Sequence, residues 1–286
     1  MNSIDDNAEL SKWMEITPAG RRTSSVTHDE RWRDLHMHLW QVAFMVRWNL
    51  MEKSFGRALG RAWIILDPMM QAALYLFLLI LIFRVNDSDI SFTFLLVTLT
   101  FWRLHANLLS AAPTLFTSKG PVLQQSSFPA RLIVYEFILT EVAFFCINLV
   151  VALGVILAFG VRPNLLWLLV PVIFLIQLVF SSALVIFVGL LGAVVRDVGP
   201  VLVFFVTVWF YLSPVIYGVS RVPASLERFM YLNPFAIIMP AYQAIFFGGV
   251  MPSAWALGAV FVSSLILLVL GLRLLSHAQH RIYRFL

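Results

Sequence analysis

The sequence predicts an all-α membrane protein. Six transmembrane helices, an N-terminal amphipathic interface helix, and re-entrant or interfacial helices between spans five and six make up the expected fold. Three observations predict it. First, 60% of the 286 residues are hydrophobic and only 12% are charged, with mean hydropathy +0.88; a soluble domain carries about twice that charged share. No core of ordinary size buries so much apolar surface, so lipid must solvate part of it. Second, six apolar runs follow one another between Ala62 and Leu275, each near the ~20 residues that cross the hydrocarbon as a helix. Third, these runs are continuous rather than alternating, which argues against a β-barrel.

Residues 1–30 are polar, mixed in charge and broken by Pro18 and Gly20, as in a flexible cytoplasmic tail. Residues 31–55 differ. Trp32, Leu35, Leu39, Val42, Val46 and Leu50 recur at helical spacing, with Asp34, His38, Gln41, Asn49 and Glu52 on the other side. Trp40, Trp48, Arg33 and Arg47 add the composition of the headgroup region, so an amphipathic helix in the membrane interface is expected, with Trp32, Leu35, Leu39 and Val46 toward lipid. A helix packed on a soluble partner is the plainer alternative. Residues 56–286 form one six-span domain, with spans near 62–83, 92–112, 132–159, 165–193, 201–217 and 255–275. The third and fourth are long enough to tilt, while the fifth is short and carries Pro214. Between spans five and six, Pro223, Pro234, Pro240 and Gly248-Gly249 cut an apolar stretch into pieces too short to cross.

Charge gives the orientation. Residues 1–61, the loops after spans two and four, and the tail after span six hold fifteen Lys and Arg. The opposite loops hold four, Arg84, Arg162, Arg221 and Arg228. The positive-inside rule then places both termini of this multi-pass membrane protein in the cytoplasm. Met1–Arg31 lacks an apolar h-region, so no cleavable signal peptide is expected. Cys146 is the only cysteine, which leaves no disulfide framework and no thiolate metal site.

The chemistry-bearing motifs are mostly missing. There is no G-x-x-x-x-G-K-[ST], no H-E-x-x-H and no G-x-S-x-G, so nucleotide binding by a P-loop, zinc proteolysis and nucleophile-elbow hydrolysis are not expected. His36/His38 and His277/His280 fit polar helix faces, and no metal is expected there. Arg103 stands in the middle of span two, where a cation costs about 2.5–3.5 kcal/mol on insertion scales. Glu136 and Glu141 lie early in span three, and Asp67 precedes Pro68 in span one. Such groups mark either a substrate or proton path or, in the favoured reading, internal pairing that fixes helix packing. Counted from opposite ends of antiparallel spans, Arg103 and Glu141 fall at one depth, so they are expected to pair. Of the 41 aromatic residues, most suit interface belts. Some could stack on the apolar faces of sugar rings, and Trp63, Trp102, Trp209 and Tyr211 are the candidates for a substrate conduit.

Several stretches resemble the permease subunits of type-2 ABC exporters of lipid-linked bacterial polysaccharide (O-antigen, capsule and teichoic acid). Leu59-Gly60-Arg61-Ala62-Trp63 with Pro68 resembles their L-G-x-x-W-x-x-x-x-P. Phe128-Pro129-Ala130-Arg131 resembles the F-P-x-x after span two, and Arg196-Asp197 the R-D that closes span four. Ser213-Pro214-Val215-Ile216-Tyr217, Val222-Pro223 and Asn233-Pro234-Phe235 resemble the S-P-V-I-Y…V-P…N-P run. The resemblance covers residues 47 to about 250; the long tail 1–30 departs from it.

The resemblance implies a transport subunit rather than an enzyme, working as two copies with two copies of a separate ATPase that carries ATP and Mg. It implies a conduit between the permeases for an undecaprenyl-linked glycan, in contact with membrane lipid and with no nucleic acid. It also implies a coupling helix in the loop 113–131, so Thr117, Lys119, Gln124, Phe128, Arg131, Arg196 and Asp197 are the expected ATPase-coupling residues. Two alternatives are a drug or small-lipid exporter permease of the same superfamily and a membrane-embedded glycosyl- or acyltransferase. The last would need a cluster of Asp, His or Arg on one loop, which is missing from the sequence.

Overall fold

The structure, a computed structural model, describes residues 28–52, 62–82, 91–119, 129–195, 197–219, 222, 223, 225 and 230–285. The chain divides into two compact units, Met1–Leu39 and Trp40–Leu286. The described residues form helices α1 (His28–Glu52), α2 (Ala62–Phe77), α3 (Phe92–Ala111), α4 (Ala130–Ala158), α5 (Val170–Val194), α6 (Val198–Leu212), α7 (Phe235–Gln243) and α8 (Ala254–Phe285). No strand occurs among them. Leu59, Gly60 and Arg61 of the first-span motif, Gln124 and Phe128 of the loop, Arg196, and nearly all of the tail 1–30 lie outside the described residues.

Helix α3 is the centre. In its most apolar stretch 78% of the residues are buried, against 17% for α8. A helix hydrophobic all round must sit inside, and α3 touches α2, α4, α5, α6 and α7. Ser91 starts it by accepting the Phe94 N–H at 3.2 Å, a side-chain cap for an otherwise orphaned donor. Its buried Thr98 and Thr100 donate to the carbonyls of Phe94 (2.9 Å) and Leu96 (2.6 Å) one turn back, which removes the cost of a hydroxyl in an apolar span. Helix α5 packs on α3 and on α8. Asn164 opens its leading 3₁₀ turn, accepting the Leu166 N–H at 2.9 Å and donating to the Ile245 carbonyl at 3.2 Å.

Phe92–Thr114, Ala130–Ala158, Leu165–Val194 and Ala254–Ala278 are each long and apolar enough to cross a membrane. They correspond to the second, third, fourth and sixth expected spans. The other two are shorter. Helix α2 has 16 residues with Pro68 inside, and a five-residue π turn, Leu78–Ile82, prolongs it. Helix α6 has 15 residues, about 22 Å at 1.5 Å per residue, against a hydrocarbon core of roughly 30 Å. It ends at Ser213-Pro214, where proline supplies no N–H to continue the ladder. Helix α7 has nine residues and a π turn, Ala244–Gly248, closed by Gly249 at φ 58°. Phe235, Ile238, Met239 and Tyr242 are fully buried, so protein covers this short apolar helix, as such a segment requires.

The apolar face expected on α1 is turned. Val42 is buried at 5% exposure and Val46 and Leu50 are half-buried, whereas Trp40, Phe44 and Trp48 are exposed along with Leu39. Trp40 and Phe44 stack at 5.6 Å. From Val42 to Leu50 protein takes the aliphatic stripe of this helix while the bulkier aromatic one faces outward; Leu39, earlier in the aliphatic stripe, stays exposed. The side chains of Trp32 and Leu35 lie outside the described set.

Candidate functional site

Six rings meet where α3, α5, α6 and α7 converge. Trp102 and His105 come from α3, Phe180 from α5, Trp209 and Phe210 from α6, and Phe235 from the first turn of α7. Phe235 lies 4.2 Å from His105, 5.0 Å from Trp102 and 5.8 Å from Trp209, ring centre to ring centre. Trp102 and Trp209 meet edge to face at 6.5 Å, and His105 meets Trp209 the same way at 5.0 Å. The ring quadrupole favours these edge-on geometries. His105 is fully buried; its Nδ1 shares a hydrogen bond with Ser181 Oγ at 2.9 Å, and its Nε2 has no hydrogen-bond partner among the described residues.

One turn away along α3 and α5, Gln177 Nε2 donates to the Phe101 carbonyl at 2.7 Å, and Tyr242 donates to Gln177 Oε1 at 3.0 Å. The pairs Phe101–Gln177 and His105–Ser181 have the same separation of 76 residues, so α3 and α5 run parallel with their registers pinned at two levels.

Next to the cluster opens an apolar cavity of about 680 Å³. Phe205, Trp209, Tyr211, Tyr217, Pro223 and Asn233 contribute to its wall. Asn233 holds the wall together. Its Oδ1 accepts the Trp209 indole N–H at 2.8 Å and the Phe235 N–H at 3.0 Å, and its Nδ2 donates to Ser213 Oγ at 2.9 Å. Ser213 donates in turn to the Trp209 carbonyl at 2.8 Å, and Gln243 Nε2 to the Pro214 carbonyl at 2.6 Å. The S-P-V-I-Y and N-P stretches, some twenty residues apart, therefore form one knot that fixes the end of α6 against the start of α7.

The four conduit candidates separate. Trp209 and Tyr211 line the cavity. Trp102 is 4% exposed and braces Trp209 from within the core. Trp63 is half-buried in the first turn of α2, and no ring packs on it among the described residues.

Arg103 forms an ion pair with Asp67 of α2. Glu141 lines the same small cleft as Arg103, with Thr100, Asn107 and Asn148. Depth alone brought Arg103 and Glu141 to one cleft but did not choose between two carboxylates; Asp67, one helix over, makes the ion pair. Among the described residues no group of His, Cys, Asp and Glu could hold a metal ion.

After α3 the chain makes two 3₁₀ turns, Ala112–Thr114 and Thr117–Lys119. The first is clamped on α5. A Cβ built at Gly192 would lie 2.3 Å from the Pro113 carbonyl oxygen, and one at Gly189 3.2 Å from the Phe116 ring. Thr117 is exposed and Lys119 half-buried; Arg131 is exposed in the first turn of α4, and Asp197 is exposed just before α6. Glu136, 1% exposed in α4, accepts from Asn49 of α1 and lies 4.0 Å from Lys119 Nζ.

Sequence reading did not single out His105, Gln177, Ser181 or Tyr242. The available signal was polar residues inside apolar spans, one turn apart in Gln177 and Ser181.

The sequence profile of the ABC-2 type transporter family matches residues 41–247, a stretch that holds the cluster, the cavity wall and the clamp. An O-antigen export system permease protein RfbA of Myxococcus xanthus is 28% identical over 238 residues, covering 82% of this chain and 91% of the relative. Two Klebsiella pneumoniae proteins of the same name are 24% and 22% identical over 224 residues; each covers 78% of this chain, and 85% and 86% of the relatives. With most of its length matched, and with apolar helices of spanning length around a shared core, this chain belongs to the ABC-2 type transporter family as a membrane permease.

Proposed function

We propose that this chain is the permease of an ATP-driven exporter that moves an undecaprenyl-linked polysaccharide, O-antigen-like in class, across the bacterial inner membrane. The observation that carries the reading is the likeness to three O-antigen export permeases, which spans 78% to 82% of this chain and 85% to 91% of theirs. On this reading two copies of the chain work with two copies of a separate ATPase that holds ATP and Mg, and both termini face the cytoplasm. Helices α2 and α6 then complete six spans, α2 with its π turn and α6 with the segment that follows it.

The cavity wall suits the substrate class. Trp209 and Tyr211 offer aromatic faces, and a polymer that must slide is gripped better by stacking than by fixed hydrogen bonds. Trp102 supports Trp209 from behind. On the same reading the turn Thr117–Lys119, exposed at Thr117 and Ser118, receives the ATPase, and Pro113 on Gly192 passes its displacement to α5.

Deletion in the source organism tests the proposal. A surface glycan should disappear while its lipid-linked precursor accumulates inside, and the intact gene should restore export. Unchanged surface glycans with altered resistance to drugs or small lipids would overturn it.

A further inference from the structure

Glu136 is an acid with a job the export reading does not use. It sits in the second turn of α4 with its side chain 2% exposed. A buried carboxylate is costly unless its oxygens are satisfied, and among the described residues three elements bring partners to them. The Asn49 side-chain amide of α1 donates to Oε1. Thr140, one turn along α4, donates to the same oxygen at 3.5 Å. Lys119, the last residue of the 3₁₀ turn after α3, places its ammonium 4.0 Å from Oε2. Asn49 and Glu136 are 87 residues apart in the chain.

The two ends of the carboxylate thus face different elements, the amphipathic helix on one side and the turn after α3 on the other. We propose that Glu136 is a positioning residue, a latch that locks α1 and the Thr117–Lys119 turn into one unit, so that motion of either is delivered to the other through α4. Apolar contact alone would not do this. In a membrane, lipid tails compete with apolar side chains on equal terms, and polar contacts are what specify a partner. Because Lys119 holds the carboxylate by charge and Asn49 by a neutral hydrogen bond, the two sides of the latch separate by mutation. Glu136→Gln keeps an acceptor for Asn49 and loses the charge that holds Lys119; Glu136→Leu loses both.

The functional part of the proposal rests on the export reading, and the test keeps the two apart. Spin labels at Trp48→Cys and Ser118→Cys, both exposed positions, report the distance between α1 and the turn in a Cys146→Ser background. In the latched protein the distance distribution should be narrow, and it should stay so when the complex with its ATPase is trapped with ATP and vanadate. Glu136→Leu should broaden it, and Glu136→Gln and Lys119→Met should broaden it to a similar, smaller extent. In cells, Glu136→Leu should cut surface glycan about fivefold or more, the lower end of usual coupling between sites, while the ATP hydrolysis of the purified complex persists. Should Glu136→Leu fail to accumulate, Lys119→Met and Asn49→Ala, on residues that are only half-buried, carry the same measurements.

A distribution that is unchanged in the variants, or already broad in the parent protein, overturns the latch. If the parent restores no surface glycan, the export reading fails, yet the label distances still decide the latch.

Discussion

Gly192→Ala puts one methyl group where the structure has no room. The added Cβ would lie 2.3 Å from the Pro113 carbonyl oxygen and 2.5 Å from its Cα, where ordinary contact begins at 3.4 Å. The shortfall is about 1 Å, and both sides are backbone, so no side-chain rotation relieves it. Helix α5 and the turn after α3 must move apart. Overpacking of this kind costs about 1–3 kcal/mol, offset by up to about 1 kcal/mol of helix propensity gained on replacing glycine by alanine. Two other glycines calibrate the measurement. At Gly189 the nearest atom is a Phe116 ring carbon at 3.2 Å, and nothing lies within 4 Å at Gly154. Thermal unfolding in detergent, followed by fluorescence-detected size-exclusion, should therefore rank the alanine variants. Gly154→Ala should match or exceed the parent, Gly189→Ala should fall slightly below it, and Gly192→Ala should be the least stable. Surface glycan should fall most in Gly192→Ala, because the displaced turn Ala112–Thr114 leads into the one that carries Thr117 and Lys119. A Gly192→Ala protein as stable as Gly154→Ala would refute the close approach and the clamp built on it.

Asn233→Ala removes the acceptor of the Trp209 indole and the donor to Ser213, and leaving buried polar groups unpaired costs about 1–3 kcal/mol each; the melting temperature should drop and tryptophan emission should shift as Trp209 loosens, whereas emission identical to the parent would show that Asn233 does not hold this ring. Arg103→Leu and Asp67→Leu each break the ion pair between α2 and α3, so each single change should lower membrane accumulation and the double change should be milder than the worse single; strictly additive losses would deny the coupling. Cysteine labels on Trp40, Phe44 and Trp48 should be quenched by lipid-borne quenchers more strongly than one on Val42, and the reverse order would restore the aliphatic stripe as the lipid-facing side of α1.

The helical class and the position of each apolar run were legible because they depend on composition and run length, and lipid enforces both. What was not legible depends on which surfaces meet. Pro214 marks the stop of helix α6 locally, but Asn233, twenty residues on, ties that corner to α7, and no local pattern near Pro214 announces the tie. On α1, aliphatic and aromatic stripes both satisfy helical spacing, and only packing decides which one protein takes. Arg103 had two carboxylates within a plausible depth, and depth is a one-dimensional coordinate that does not say which helix lies beside it. Of the four rings chosen from ring chemistry, Trp209 and Tyr211 line the cavity, Trp102 braces Trp209 from the core, and Trp63 lies in the first turn of α2 with no ring packed on it among the described residues. His105 went unread because a lone histidine in an apolar run carries no periodic signal; it gains meaning only when Ser181 and Phe235 arrive from other helices.

In a protein solvated by lipid, apolar contact between helices is only weakly preferred over apolar contact with tails. Register then has to come from the few polar groups and the closest backbone approaches. Between α3 and α5 there are three such ties in sequence: Phe101–Gln177, His105–Ser181 and Pro113–Gly192. They span about three turns of helix and make the two helices and the following turn one block. Helix α8 meets α5 differently: a Cβ built at Gly271 would lie 3.4 Å from the Ile186 and Phe187 side chains, an ordinary van der Waals distance, and no polar tie fixes the register among the described residues. Helix α6 lies between these cases. Its hydrogen bonds run from Trp209 and Ser213 to Asn233 before α7, and its contact with α3 is made of ring edges. Ring edges slide at small cost, and buried hydrogen bonds do not. On the proposed reading, a displacement entering at Thr117–Lys119 is carried by α3 and α5 together, and the surface that yields is the aromatic one between that block and α6, the helix that brings Trp209 and Tyr211 to the cavity wall.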